Sequence, residues 1–151
     1  MYLVDNEKFF ESSSDYTILT SDAIITSVLS RNSNIETSVY ISESSDSLNI
    51  SAFVNVSYLN KDLSYRIPVE ENAAFEMIAL SPNVHLSKTC LIISDPLYGF
   101  KIIVYSGLNK GLILAEPLDK HTKLPDWIGE DVSQNERYSE ANLAIYPYSL
   151  W

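Results

Sequence analysis

The side chains able to do chemistry in this 151-residue chain are few in kind. Cys90 is the single cysteine, so neither an intrachain disulfide nor a cysteine-built metal site can form. The two histidines, His85 and His121, stand too far apart for a helical HxxxH pair. Asn49 and Asn55 open NIS and NVS triplets of the glycosylation type, but with no secretory signal they read as idle strand residues. What remains is charge. Lysine and arginine can hold anions, and carboxylates can hold hard divalent cations or meet a basic surface.

Acids dominate, 20 against 10 bases, for a net charge of −10. Residues 1–75 carry 11 acids and 4 bases, while residues 76–151 carry 9 and 6. A surface of this sign repels phosphate backbones, which argues against nucleic-acid binding and favours a basic protein partner. Asp15, Asp22, Glu36, Glu43 and Asp46, in the more acidic half, are the candidates to meet it. Ten tyrosines and two tryptophans are residue types enriched at such interfaces.

The elements that must position these groups are mostly strands. The hydrophobic share of 46% and the chain length suit one domain, spanning residues 1–151, with a single core. No apolar run approaches the roughly 20 residues of a membrane span. "MYLVDNEKFF" carries acids where a secretory signal carries bases, so a cytoplasmic protein is expected. That stretch reads as a first strand and "DAIITSVLS" as a second. "ETSVYIS" and "SLNISAFVNV" alternate in period two, and "LSYRIPV" follows, its pairing ended by Pro68. "EENAAFEMIAL" switches to helical spacing, with acids in its first turn. "KTCLIIS", "YGFKIIVYS" and "KGLILAEPL" resume the strands, parted by "DPLYG" and "GLN" turns, and a helical stretch runs from about Glu136 to Ile145. Some eight antiparallel strands in succession predict a closed or nearly closed barrel.

Three stretches carry a resemblance. "SYRIPVEENAAFEMIAL", "FKIIVYSGLNKGLILAEPL" and the tail "LPDWIGEDVSQNERYSEANLA" are similar, in order and spacing from about residue 60 to 144, to the CYTH family, the triphosphate tunnel metalloenzymes. The first 60 residues resemble it in strand pattern only. The resemblance implies an α+β, mainly β fold: an eight-stranded antiparallel tunnel barrel with a mid-chain helix and a C-terminal helix. In working members inward Lys and Arg hold a triphosphate, and inward Glu or Asp hold a divalent metal. Pro125, Trp127, Gly129, Tyr138 and Leu143 are read as scaffold.

Carried over residue by residue, much of the family's pattern is missing. Anchoring its Glu-Xaa-Glu-Xaa-Lys on Lys8 puts Val4 and Asn6 at the glutamate positions. Ser38 and Tyr40 replace Arg-Xaa-Arg, Ser51 a lysine, and Asp62 and Ser64 an acidic pair. Lys88 matches, but Cys90 replaces an arginine, Ile103 an aspartate and Leu118 a glutamate, while Glu116 is kept. Val4, Asn6, Lys8, Ser38, Tyr40, Lys88, Cys90, Ile103 and Glu116 are expected to face the lumen.

The reading is therefore a pseudoenzyme with no catalytic residue, no metal ligand and no cofactor. It would act as a small immunity- or antitoxin-like inhibitor of a basic protein. Two alternatives stay open. One is a non-hydrolysing nucleotide or polyphosphate sensor using Lys8, Lys88, Lys101 and Glu116 as a remnant tunnel. The other is a divergent metal-dependent triphosphatase.

Overall fold

A computed structural model describes residues 1–47, 49–94, 99–119 and 124–151. His121 and most of the "DPLYG" turn lie outside the described residues. The chain runs β1 (Tyr2–Val4), α1 (Asn6–Glu11), β2 (Thr17–Arg31), β3 (Ile35–Ser44), β4 (Ile50–Tyr58), β5 (Leu63–Pro68), α2 (Glu71–Leu80), β6 (Leu86–Ser94), β7 (Gly99–Tyr105), β8 (Ile113–Pro117), β9 (Ile128–Asp131) and α3 (Glu140–Ile145). The described residues form one nine-stranded sheet in the order β5-β4-β3-β2-β6-β7-β8-β1-β9. Every pairing is antiparallel.

The mainly β fold, the mid-chain helix and the C-terminal helix are as expected, but the count and the closure differ. The sheet has nine strands and stays open, with β5 and β9 at its ends among the described residues. At one end, all six residues of β5 are exposed, and Pro68 lacks the N–H that a further ladder needs. At the other end, the short stretch after Trp127 adds β9 to β1, pairing Tyr2 with Asp131 and Val4 with Ile128. Gly129 permits that approach: a Cβ there would stand 3.2 Å from the Leu3 carbonyl oxygen.

"MYLVDNEKFF" is not one strand. Asp5 breaks it, because its carboxylate accepts a hydrogen bond from the Lys8 N–H at 3.2 Å and caps α1. The expected helix from Glu136 to Ile145 is likewise divided. Residues 136–138 form a tight 3₁₀ turn, and Ser139 then caps α3 through the Asn142 N–H.

Directly paired residues of antiparallel strands lie on the same side of a sheet, so the register sorts side chains into two faces. On one face α1 packs Phe9 against Ile93, Phe100, Ile102, Ile113, Ala115 and a fully buried Trp127. The Trp127 ring meets Phe9 and Phe100 edge-on at 5.1 and 5.0 Å, and its indole N–H donates to the Tyr16 hydroxyl. Further along this face α2 seats Ala74, Met77 and Ile78 on Val39, Ile41 and Val54.

The other face takes the C-terminal tail. Leu143 and Ala144 of α3 pack with Leu86, Cys90, Ile103, Tyr105, Leu112 and Leu114. Strand β7 is thus apolar on both sides, with Phe100 and Ile102 towards α1 and Ile103 and Tyr105 towards the tail. Asn109 ties the tail down: its side-chain oxygen accepts from the Tyr148 N–H at 2.7 Å, and its amide donates to the Leu143 carbonyl.

Candidate anion site on the tail-covered face

Lys88 lies on β6 between Ile24 of β2 and Tyr105 of β7, on the tail-covered face. It is only 9% exposed. A lysine ammonium this deep needs a partner, because an unpaired buried charge costs several kcal/mol. The partner comes from the tail: Glu140, first residue of α3, accepts a hydrogen bond from the Lys88 ammonium.

On the next two strands a second pair repeats the chemistry. Lys101 of β7 and Glu116 of β8 are direct cross-strand neighbours, with Nζ and Oε2 3.2 Å apart. Both are about one-third exposed. The register places Lys101, Ile103 and Tyr105 on the face that carries Lys88 and Cys90. A third pair, Arg31 to Glu36 at 3.4 Å, closes the far end of β2 and β3.

Polar and aromatic groups surround the Lys88 pair. Tyr105 is buried, and burial followed by the nearby Glu140 charge pushes its hydroxyl pKa well up. Tyr40 shifts upward for the same two reasons, against a hydrogen bond with Thr26 that pulls the other way. Burial also raises the Cys90 thiol, opposed by the Lys88 and Lys101 charges. These groups stay protonated at neutral pH and can donate hydrogen bonds to an anion.

The seam between α3 and the sheet is loosely filled. A cavity of about 200 Å³ lies between Val28, Arg31, Asn83, Ala141, Ala144 and Ile145. A cleft of about 310 Å³ opens beside it, lined by Arg31, Glu136, Ser139, Asn142 and Ile145. The residues next to Glu140 thus border open space, while Leu143 and Ala144 of the same helix are packed in the core.

The expected lumen residues divide. Ser38, Tyr40, Lys88, Cys90, Ile103 and Glu116 share the tail-covered face. Val4, Asn6 and Lys8 do not. Val4 packs in the Trp127 cluster on the opposite face, and Leu3 takes the place facing the tail. Asn6 and Lys8 ride on α1, where Lys8 is exposed and paired with Asp5 at 3.5 Å. Anchoring the motif on Lys8 fails because the strand ends at Val4. Lys8 thus lies on α1, apart from the strand-borne lysines Lys88 and Lys101. Ser51 and Ser64 fall on the tail-covered face, whereas Asp62 stands exposed in the turn before β5.

The five acids expected to meet a partner are divided between the two faces and the loops. Asp22, opposite Cys90, and Glu36, paired with Arg31, belong to the tail-covered face. Glu43 pairs with Ala23 on the opposite face, and Asp15 and Asp46 are exposed outside the strands.

Sequence reasoning missed Glu140, Arg31 and Arg66. Arg66 lies two residues after Ser64 on β5, so the same alternation could have found it. Nothing local marks Glu140 as the partner of Lys88, which is 52 residues away.

A divalent metal needs several free oxygen ligands. Here Glu116, Glu140 and Glu36 are each engaged by a cation, and among the described residues no three metal-ligating groups converge. The donor set does not make a preformed metal site.

No family model matches the chain. An inorganic triphosphatase of Acetivibrio thermocellus is 30% identical over 92 residues, covering 58% of this chain and 58% of that protein. The chain thus matches somewhat over half the length of that relative. The solved structure of the inorganic triphosphatase NE1496 superposes with a TM-score of 0.67 at 17% identity, covering 95% of this chain and 91% of that one. A second structure, of the hypothetical protein NE1496, gives the same TM-score and identity over 95% and 94%. The resemblance to the CYTH family holds, and the fold is that of these structures. The expected pseudoenzyme is corrected: the named relatives are inorganic triphosphatases. The first motif's anchor also fails, since the fold places Lys8 on α1 rather than on a strand. No helix of the described residues is long and apolar enough to cross a membrane.

Proposed function

We propose that the protein binds a short polyphosphate chain on the tail-covered face and hydrolyses it as a triphosphatase. The observation that carries this is the pair of lysines, Lys88 and Lys101, on one face, each held by a carboxylate rather than by a fixed structural partner such as a backbone carbonyl. The likeness to an inorganic triphosphatase supports the same reading.

Phosphoryl transfer asks a protein chiefly for position and for positive charge around the phosphate oxygens. Lys88 and Lys101 supply the charge once the incoming anion displaces Glu140 and Glu116. Tyr105 and Tyr40, held protonated, supply neutral donors beside it. A displaced Glu116 or Glu140 becomes a free carboxylate next to the bound phosphates, where it can accept a proton from the attacking water.

The test is phosphate release from tripolyphosphate by the purified protein, with and without Mg²⁺ or Mn²⁺, alongside calorimetric binding. Release that falls at least tenfold in Lys88→Ala supports the proposal, and binding without release overturns the hydrolytic part. Neither binding nor release overturns it whole.

A further inference from the structure

Strand β5 ends the sheet with its outer backbone unpaired. Val69, just past the strand, donates its N–H to the Ala52 carbonyl at 3.1 Å. Hydrogen-bonded pairs alternate along an antiparallel ladder, so Leu63, Tyr65 and Ile67 bond towards β4. Ser64 and Arg66 then turn their N–H and C=O groups outward, where no further strand meets them among the described residues. Pro68 withholds one donor, but at the last position of β5, so Ser64 and Arg66 keep theirs.

Its side chains are uncovered as well. Leu63, Tyr65 and Ile67 line up on the side that carries Val54, where α2 packs over β3 and β4. They are 43%, 54% and 52% exposed, and none joins a core cluster of the described residues. Arg66 lies on the opposite side, its guanidinium over the Phe53 ring at 4.8 Å, so the apolar row carries no charge. A row of half-exposed apolar side chains beside a free backbone edge is a ready template for another strand. The local charge suits a second copy. Residues 60–68 hold Lys61 and Arg66 against Asp62, two bases to one acid, in a chain of net charge −10. Two copies repel each other least where the excess of acid is absent.

We propose that two copies of this chain join edge to edge through antiparallel β5 strands, about a two-fold axis at Tyr65, making their sheets continuous. In that register Tyr65 meets its own counterpart, and Leu63 lies opposite Ile67 of the second copy. Ser64 and Arg66 exchange backbone hydrogen bonds across the axis. Arg66 then stands diagonal to Asp62 of the second copy, within reach of a long side chain of opposite charge. The contact is self-complementary and closes at two copies. The three apolar side chains offer roughly 300 Å² per copy, taking about half of each side chain's area. With the strand edge added, this is the smaller class of specific interface, and the dimer should dissociate in the micromolar range. The pairing does not depend on the triphosphate reading.

The test is sedimentation velocity of the intact protein from low micromolar to millimolar concentration, with thermal melts to confirm folding. Wild type is expected to pass from monomer to dimer and no further. Tyr65→Lys sets like charges against each other on the axis, and should raise the dissociation constant at least about tenfold. Tyr65→Cys should form a disulfide-linked dimer under mild oxidation, because opposed residues of a non-hydrogen-bonded pair lie about 4.5 Å apart at Cα. Wild type, whose lone Cys90 is buried, should not cross-link. A wild type that stays monomeric throughout overturns the proposal. So does a dimer that Tyr65→Lys leaves intact, or association that grows past two copies. Should Tyr65→Lys melt early, the cysteine variant decides: cross-linking supports the pairing, and its absence overturns it.

Discussion

Lys88 on β6 and Glu140 on α3 form a hydrogen-bonded ion pair beneath the C-terminal tail, joining positions 52 residues apart. The ammonium is almost wholly buried, while the carboxylate keeps 34% of its side-chain surface. The tail therefore holds an internal anion on the deepest cation of the candidate site. Any external anion that uses Lys88 competes with it.

Replacing Glu140 should separate the two roles. Glu140→Gln leaves a buried ammonium facing a neutral amide, and the melting temperature should fall. The loss should be about 1–3 kcal/mol, below that of a fully buried pair because the carboxylate reaches solvent. Added tripolyphosphate should then raise the melting temperature more in the variant than in wild type. Equal increments would show that the anion does not use Lys88.

Lys101 and Glu116 should behave differently. Their pair is about one-third exposed, so Lys101→Ala should change stability by less than about 1 kcal/mol. Binding should suffer more, by about tenfold or above, since a charge-assisted bond to phosphate contributes roughly 1.5–3 kcal/mol. Titration at two salt concentrations checks this: wild-type affinity should fall as salt rises, and less steeply in the variant.

Alkaline pH should destabilise the fold. Burial raises the Cys90 thiol and the Tyr40 and Tyr105 hydroxyls above their ordinary values of 9.0, 10.0 and 10.0. The unfolded chain ionises these groups first, so it loses protons that the native state keeps, and stability falls as pH rises. Their contribution is intact below about pH 9 and declines above it. Denaturant midpoints measured from pH 8 to 11 should decrease, and Tyr105→Phe should flatten the decline. A midpoint constant up to pH 11 would contradict the burial of these groups.

Trp127 anchors the loop that leads into β9. It is fully buried against Phe9 and Phe100, so Trp127→Ala should cost about 3–5 kcal/mol. Because β9 pairs with β1, fluorescence and hydrogen exchange should show the β1–β9 edge opening first. Lys88 exchange behaviour, on the far side of the sheet, should change little until global unfolding.

The sequence by itself determined which residues share a face within each strand. Ser38 with Tyr40 and Lys88 with Cys90 follow from period-two alternation, a property of the extended backbone alone. It also determined the Glu71–Leu80 helix, through its helical spacing, and the likeness of residues 60–144 to a triphosphatase fold. The first strand shows where this stops. A single-residue change of register reverses every side chain, so Leu3 rather than Val4 faces the tail, and the end of β1 at Val4 carries Lys8 onto a helix. Only the tertiary structure decided the rest. Glu140 reaches Lys88, Arg66 stacks on Phe53 and β9 pairs with β1 because separate segments meet, and no local pattern encodes which distant carboxylate or ring a folded chain will bring to a given cation.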